Sequence, residues 1–200
     1  MQTYGASKQG KRDYQQDEFL IDLDNNIFGV ADGMGGHSNG DLASKDVIDS
    51  FIELVLDCNE DLSTIFYEAD KRCKARCDYS GSTATFAVII DNTIYIAHSG
   101  DSRCYVVAGT DCQQISDDHT SCWGGLTNAI GLLTWVDFYE IKDPPEGLVL
   151  ILCTDGVSGV LNEKAIFQIV SNSSNPARDL VQAALDADSS DNCTAVVVKL

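Results

Sequence analysis

The sequence predicts an α+β protein in which antiparallel sheets are covered by pairs of helices. Three observations carry that expectation. Short β-rich runs separated by turn residues crowd into residues 82–116. Amphipathic helical patterns come in two pairs, one over residues 41–77 and one after Asn162. The resulting order of strands, two helices, strands, two helices and a last strand is not the regular alternation of a doubly wound parallel sheet.

Residues 18–31, EFLIDLDNNIFGVA, read as two strands around the turn Asp24-Asn25-Asn26. From Asp41 to Asp57 the positions Val47, Ile48, Phe51, Ile52 and Val55 share one helical face, and a second helix over about 61–77 turns Leu62, Ile65, Ala69 and Cys73 inward. The runs STATFAVII, TIYIAHS, RCYVVAG and CQQIS follow as strands, parted by Asp91-Asn92, the GDS at 100–102 and Gly109-Thr110-Asp111. Strand patterns return at about 135–141 and 148–153. A helix capped by Asn162 and another opening at Asn175-Pro176 come next, and the chain closes on CTAVVVKL.

At 200 residues and 44% hydrophobic composition the chain suits one domain, 1–200, with no internal repeat or linker. No charged-then-apolar leader and no membrane-length apolar stretch is seen, so a soluble, cytoplasmic protein is expected. The eight cysteines show no compact repeat and are read as buried, reduced thiols. A formal charge of −18 argues against nucleic acid and against an anionic membrane surface. It leaves room for divalent cations, the ordinary means of offsetting carboxylates gathered in one cleft.

Carboxylates sit where apolar strands end. FGVADGMGGHSNG delivers Asp32 into a glycine-rich stretch at 28–40, LVLILCTDG delivers Asp155, and Asp191 opens DNCTAVVVKL. Asp17, in GKRDYQQDEF, stands just before the first strand of that reading. A single Asp-Gly is an ordinary turn, but the repetition asks for more. Hard ions such as Mg²⁺ and Mn²⁺ take oxygen ligands, keep several waters and use few carboxylates each. Asp17, Asp32, Asp155 and Asp191, with the Gly33 carbonyl, therefore form a candidate set for two such ions and a bridging water. A metal pair of that kind acidifies water for in-line displacement at phosphorus. Arg12 offers a planar fork for phosphate oxygens.

In these residues the chain resembles the metal-dependent Ser/Thr protein phosphatases of the PPM, or PP2C, family, in their compact bacterial form. The stretches that carry the resemblance are GKRDYQQD, FGVADGMGGHSNGDLAS, SGSTATFAVI, AHSGDSRCYV, DDHT, LTNAIG, LILCTDGV and DNCTAVVV, in family order and over nearly the whole chain. The resemblance implies a β-sandwich of two antiparallel sheets flanked by antiparallel helix pairs, with metals in a cleft at one end. It implies that Asp17, Asp32, Gly33, Asp155 and Asp191 hold two Mg²⁺ or Mn²⁺ ions and that Arg12 contacts substrate phosphate. By the same resemblance Asp101, in GDSR, helps bind a weaker third ion; Gln16, His37 and Asn192 are expected to stand behind the ligands. The implied activity is hydrolysis of phosphoserine and phosphothreonine in proteins, substrates of Ser/Thr kinases, by direct attack of metal-activated water in a monomer.

Three departures from the family pattern matter. Gln15 replaces the usual asparagine, keeping the amide on a longer arm. Met34 stands where many eukaryotic members carry histidine, leaving metal-held water as the proton source and His37 as a capping or packing group. Between DDH and LTNAIG the family inserts a mobile flap, whereas here only TSCWGG, 120–125, is present. A more open cleft with broad or partner-dictated specificity is expected. Two further readings remain. One is a PP2C-like binding module without turnover, against which the full ligand set argues. The other is a sporulation or stress phosphatase acting on anti-sigma antagonists, a group that usually lacks the arginine found here as Arg12.

Overall fold

The computed structural model describes residues 1–35, 39–57, 62–77, 80–132 and 135–200, and for 55–57 the backbone alone. Two antiparallel sheets face one another. The first runs β1 (Gln2–Lys8), β11 (Cys193–Lys199), β10 (Val149–Cys153), β7 (Arg103–Ala108) and β8 (Asp111–Gln114). The second runs β2 (Asp17–Asp22), β3 (Ile27–Met34), β5 (Ala84–Ile90), β6 (Thr93–Ser99) and β9 (Asp137–Lys142), with the short β4 (Gly81–Ser82) beside β3. Tight turns set the registers. At Asp91-Asn92 both residues have positive φ, +46° and +60°, the two-residue hairpin turn whose twist matches the strands it joins.

Alternation sorts each strand's side chains between two cores. Phe28, Val30, Ile94 and Ile96 of one sheet meet Leu150, Leu152, Val196 and Val198 of the other, and this is the filling between the sheets. The outer face of the second sheet is covered by α1 (Gly40–Asp57) and α2 (Leu62–Arg76), which bury Val47, Phe51, Ile65, Phe66, Ala69 and Cys73. The outer face of the first is covered by α4 (Glu163–Asn172) and α5 (Pro176–Asp186) through Ile166, Val170, Leu180 and Val181. The Asn162 and Asn175 side chains accept from the Ala165 and Arg178 amides, so both expected caps form. The layers are helix, sheet, sheet, helix, as the sequence led us to expect.

The differences are local. Gln2–Lys8 carries no apolar alternation and was not read as a strand; its pairing with β11, Gln2 opposite Lys199 through Lys8 opposite Cys193, makes it one. One extra turn, α3 (Asp155–Ser158), is too short for a periodic signal. STATFAVII is divided at Thr83 because the Thr83 hydroxyl, rather than a carbonyl, accepts the Asp32 amide at 2.9 Å. The register does not slip there: Val30 faces Thr85 and Gly33 faces Ser82. Val55, expected inward, lies outside the described side chains. Among the described residues no helix is long and apolar enough to cross a membrane.

Phe51 of α1 stacks flat on Phe86 of β5, ring centroids 3.4 Å apart, and meets Phe66 of α2 edge-on at 5.1 Å. This trio joins three elements on one face. Phe51→Ala should therefore cost about 3–5 kcal/mol in denaturant unfolding, whereas Tyr67→Ala on the exposed face of α2 should cost within about 0.5 kcal/mol.

Candidate functional site

Antiparallel neighbours bring the strand-end aspartates to one end of the sandwich. Asp17 opens β2 directly opposite Asp32 near the end of β3. In the other sheet Asp155 follows β10 and Asp191 precedes β11, and because those strands are adjacent and antiparallel, both lie at the same end. Asp32, Asp155, Asp191, Asp101, Gly33 and Arg12 line one cleft of about 350 Å³. Asp17 is buried behind it, its Oδ2 accepting from the Thr154 hydroxyl at 2.8 Å. That hydroxyl in turn accepts the Thr194 amide at 3.1 Å, so one oxygen ties β11 and the start of α3 to the opposite sheet.

Two glycines make the approach possible. A Cβ on Gly33 would lie 2.0 Å from the Gly40 carbonyl oxygen and 2.8 Å from that of Gln16, and one on Gly156 would lie 1.8 Å from the Asn192 carbonyl oxygen. Either substitution must push backbone aside at the cleft. The Gly33 amide donates to the Gln16 carbonyl at 3.0 Å, which fastens the glycine loop to the segment leading into Asp17.

Asn192 is the pin of the arginine-bearing loop. Its Nδ2 donates to the carbonyls of Gln9 and Tyr14 at 2.7 and 3.0 Å, while its Oδ1 accepts the Gln16 amide at 2.8 Å. Arg12 is thereby held at the cleft mouth, where its Nη2 donates to Asp191 Oδ2 at 2.5 Å. That contact, followed by the fields of Asp155 and Asp32, raises the guanidinium further above its ordinary pKa. The longer arm of Gln15 is accommodated: its Nε2 reaches Ser7 Oγ at 2.6 Å, and Ser7 meets Thr194 at 2.8 Å.

Asp101 enters the same cleft from the turn after β6. Its carboxyl is pushed up to about 6, first by burial and then by Asp155. The residue before it is clamped twice by His119, which donates its own amide to the Gly100 carbonyl at 2.8 Å and accepts the Gly100 amide on Nδ1 at 3.1 Å. His119 Nε2 faces Asp137 Oδ2 at 2.8 Å, so the ring proton sits there. Thr83, Thr154 and His119 were not singled out from the sequence. CTDG draws attention to Asp155 and DDHT enters only through the family resemblance, and the neighbours that make these side chains matter lie far along the chain. His37 lies outside the described residues.

At Thr120–Gly125, where the sequence leads one to expect a short connection in place of a flap, the chain closes on itself at once. Thr120 bridges to Leu126, and the Ser121 amide donates to the Gly125 carbonyl at 2.8 Å. Trp123 at the tip is 92% exposed. None of residues 120–125 lines the cleft; Leu126, just after them, does.

Crowding like charges in a place poor in water gives the cleft its electrostatic character. Burial, reinforced by Asp155 and Asp191, pushes Asp17 up to about 7 against the opposing bonds from Thr194 and Thr154. Asp32 is held well above the usual carboxylate range by burial and by its three acidic neighbours, and it shares a hydrogen bond with Asp155, which is raised as well. Two buried oxygens, Asp17 Oδ1 and Asp155 Oδ1, have no hydrogen-bond partner. Orphaned carboxylate oxygens of this kind cost free energy unless something positive meets them. An all-oxygen set with unmet acceptors fits hard divalent ions. Among the described residues no three acidic, imidazole or thiol side chains close on one point as a finished cage. Ions that retain several waters do not require one.

Raised carboxyl pKa values have a definite sign. The folded, metal-free protein binds more protons than the unfolded chain above the unfolded Asp value of about 3.9. The stabilisation by protonated Asp17 is therefore complete below that value and lost as pH rises through about 7. In chelator, thermal unfolding should show stability falling between about pH 5 and pH 7. Asp17→Asn should flatten that slope, and a variant as steep as the parent would contradict the assignment.

Residues 11–121 match the family model described as protein phosphatase 2C. Among curated relatives, a probable protein phosphatase 2C 59 of Oryza sativa subsp. japonica is 27% identical over 246 aligned positions, covering 98% of this chain and 75% of the relative. A probable protein phosphatase 2C 69 of Arabidopsis thaliana is 26% identical, covering 98% and 70%. Both alignments run to 246 positions against a chain of 200 residues, so the relatives carry segments without a counterpart here. Among solved structures, the Mycobacterium tuberculosis serine/threonine phosphatase PstP/Ppp superposes with a TM-score of 0.87 at 23% identity, covering 100% of this chain and 98% of that one. PppA, described as a key regulatory component of T6SS in Pseudomonas aeruginosa, superposes with 0.86 at 24% identity, covering 100% and 97%.

Proposed function

This chain belongs to the protein phosphatase 2C family, and from that premise we propose that it is a metal-dependent protein serine/threonine phosphatase. The observation that supports this best is the convergence of Asp17, Asp32, Asp155 and Asp191 from two sheets, with buried oxygens that no protein donor meets. In this reading Asp17, Asp32, Asp155, Asp191 and the Gly33 carbonyl hold two Mg²⁺ or Mn²⁺ ions, and Asp101 serves a weaker third. The ions supply charge neutralisation and an acidified water for attack at phosphorus.

The chain's own residues do the rest. Arg12 receives the phosphate in two-point contact at the cleft mouth, exchanging its bond to Asp191 for the substrate's oxygens. Asn192 keeps that loop rigid, so the guanidinium is placed before substrate arrives. Thr154 orients Asp17 through its hydroxyl bond. His119 fixes the turn that carries Asp101. Cys153, fully buried one residue before Thr154, has its thiol pushed up to about 12, so it takes no part as nucleophile. The phosphoprotein substrate lies across a cleft uncovered at Thr120–Gly125, and this supports broad selectivity. The protein acts as a cytoplasmic monomer.

The test is an assay on a phosphothreonine peptide with added Mn²⁺ or Mg²⁺. Chelator, Asp32→Asn and Asp155→Asn should each abolish turnover, and metal-independent hydrolysis would overturn the proposal. Arg12→Ala should raise KM more than it lowers kcat, because it removes binding common to ground and transition states. Across unrelated phosphopeptides kcat/KM should vary by less than about tenfold, roughly 1.4 kcal/mol. A preference of several orders of magnitude for one peptide would count against the open-cleft reading.

A further inference from the structure

The proposed chemistry makes no use of Cys73 and Cys77 at the end of α2. The Cys77 amide donates to the Cys73 carbonyl at 2.9 Å, so helical geometry continues through both residues and their side chains share a face. The two thiols are free and buried, one helical turn apart. Cys73 Sγ lies 3.7 Å from the Ser80 carbonyl and Cys77 Sγ lies 3.6 Å from Asp46 Oδ2. Both line a second cavity of about 540 Å³, whose far wall includes Met34, Gly35 and Leu132. That volume is within the range of small-molecule sites. Met34 and Gly35 also line the aspartate cleft, so the two spaces share a wall.

We propose that this cavity is a dithiol site for a trivalent arsenical, and that filling it inhibits the enzyme through the Met34–Gly35 wall. The chemistry of the pair selects that class. A tetrahedral soft ion asks for four ligands, whereas the carboxylate beside the pair, Asp46, reaches Cys77 while held by Arg76, and among the described residues no set of three acidic, imidazole or thiol groups closes on one point. A trivalent organoarsenical asks its site for only two. Burial and the neighbouring thiol push Cys73 up to about 12, so the pair is protonated and a charged ion would enter at a desolvation cost. A neutral arsenoxide avoids it. Two S–H groups react with R–As=O, two S–As bonds form, the As–O bond is lost, and the two protons leave with the oxygen as water. No oxidant or reductant is consumed. A disulfide would instead require the sulfurs to close to about 2.05 Å across a helical turn, whereas arsenic bridges them from between.

The coupling to the cleft is steric. Met34 follows Gly33, which is wedged between the Gly40 and Gln16 carbonyls with no room for even a Cβ. A group that moves Met34 therefore moves Gly33. Inhibition rests on the phosphatase reading of the cleft, while binding does not.

Phenylarsine oxide and the metal-loaded protein test both parts. Intact mass should show one tightly held arsenical per chain, released by a dithiol and not by a monothiol. Proteolytic mapping should place it on Cys73 and Cys77. Cys73→Ser and Cys77→Ser should each weaken binding by roughly 10²-fold, since one sulfur loses the advantage of chelation. Should serine fail to fold, Cys73→Ala and Cys77→Ala serve, and mapping on the parent protein decides without any variant. Arsenic mapped to any other cysteine, or single variants that bind as tightly as the parent, would overturn the site. Arsenic on Cys73 and Cys77 with turnover unchanged would overturn the coupling. A protein without metal-dependent turnover would refute the phosphatase reading and leave the mass result to judge the site.

Discussion

Mutual repulsion among Asp17, Asp32, Asp155 and Asp191 is the constraint around which the rest of the structure is arranged. Carboxylates this close, and this poorly solvated, resist the compact state. The surrounding fold has to hold them in place against that resistance. It does so with strong anchors: the paired strands beneath Asp17 and Asp32, the neighbouring strands beneath Asp155 and Asp191, and the Thr154 hydroxyl that reaches from one sheet to the other. The raised pKa values and the orphaned oxygens are what remains of the strain when only protons are available to relieve it.

Much of this was legible in the sequence because the signals were local. A carboxylate at the end of an apolar run, followed by glycine, is visible without a structure, and so are an asparagine cap and a helical stripe such as Val47, Phe51 and its neighbours. What escaped notice depends on distant partners. Gln2–Lys8 is a strand because β11 is beside it, not because of its own composition. The significance of His119 lies in Gly100, and that of Thr154 lies in Asp17, separations that no periodicity records. Gln15 was legible as a departure from the family, but its accommodation required Ser7, whose strand had not been anticipated.

The short connection at Thr120–Gly125 shows how little of the cleft depends on a cover. Its hydrogen bonds are internal, to Ser121 and Gly125, and the cleft wall takes only Leu126, the residue that follows it, from this neighbourhood. The buried imidazoles beneath it remain fully engaged: His98 is pushed down to about 4 by burial and by His119, and it lies between the Thr85 hydroxyl and the Asp117 carbonyl. The platform that supports Asp101 is thus built from the sandwich itself.

The place of β11 in the first sheet has a consequence for how the molecule comes into being. This strand lies between β1 and β10, and the residues just before it carry Asp191 and the Asn192 that fastens the loop of residues 9–16. A polypeptide emerging from the ribosome has β1 ready long before its partner. The early segments must wait, unpaired at one edge, until β11 is translated. Closure of the cleft therefore has to follow the synthesis of β11.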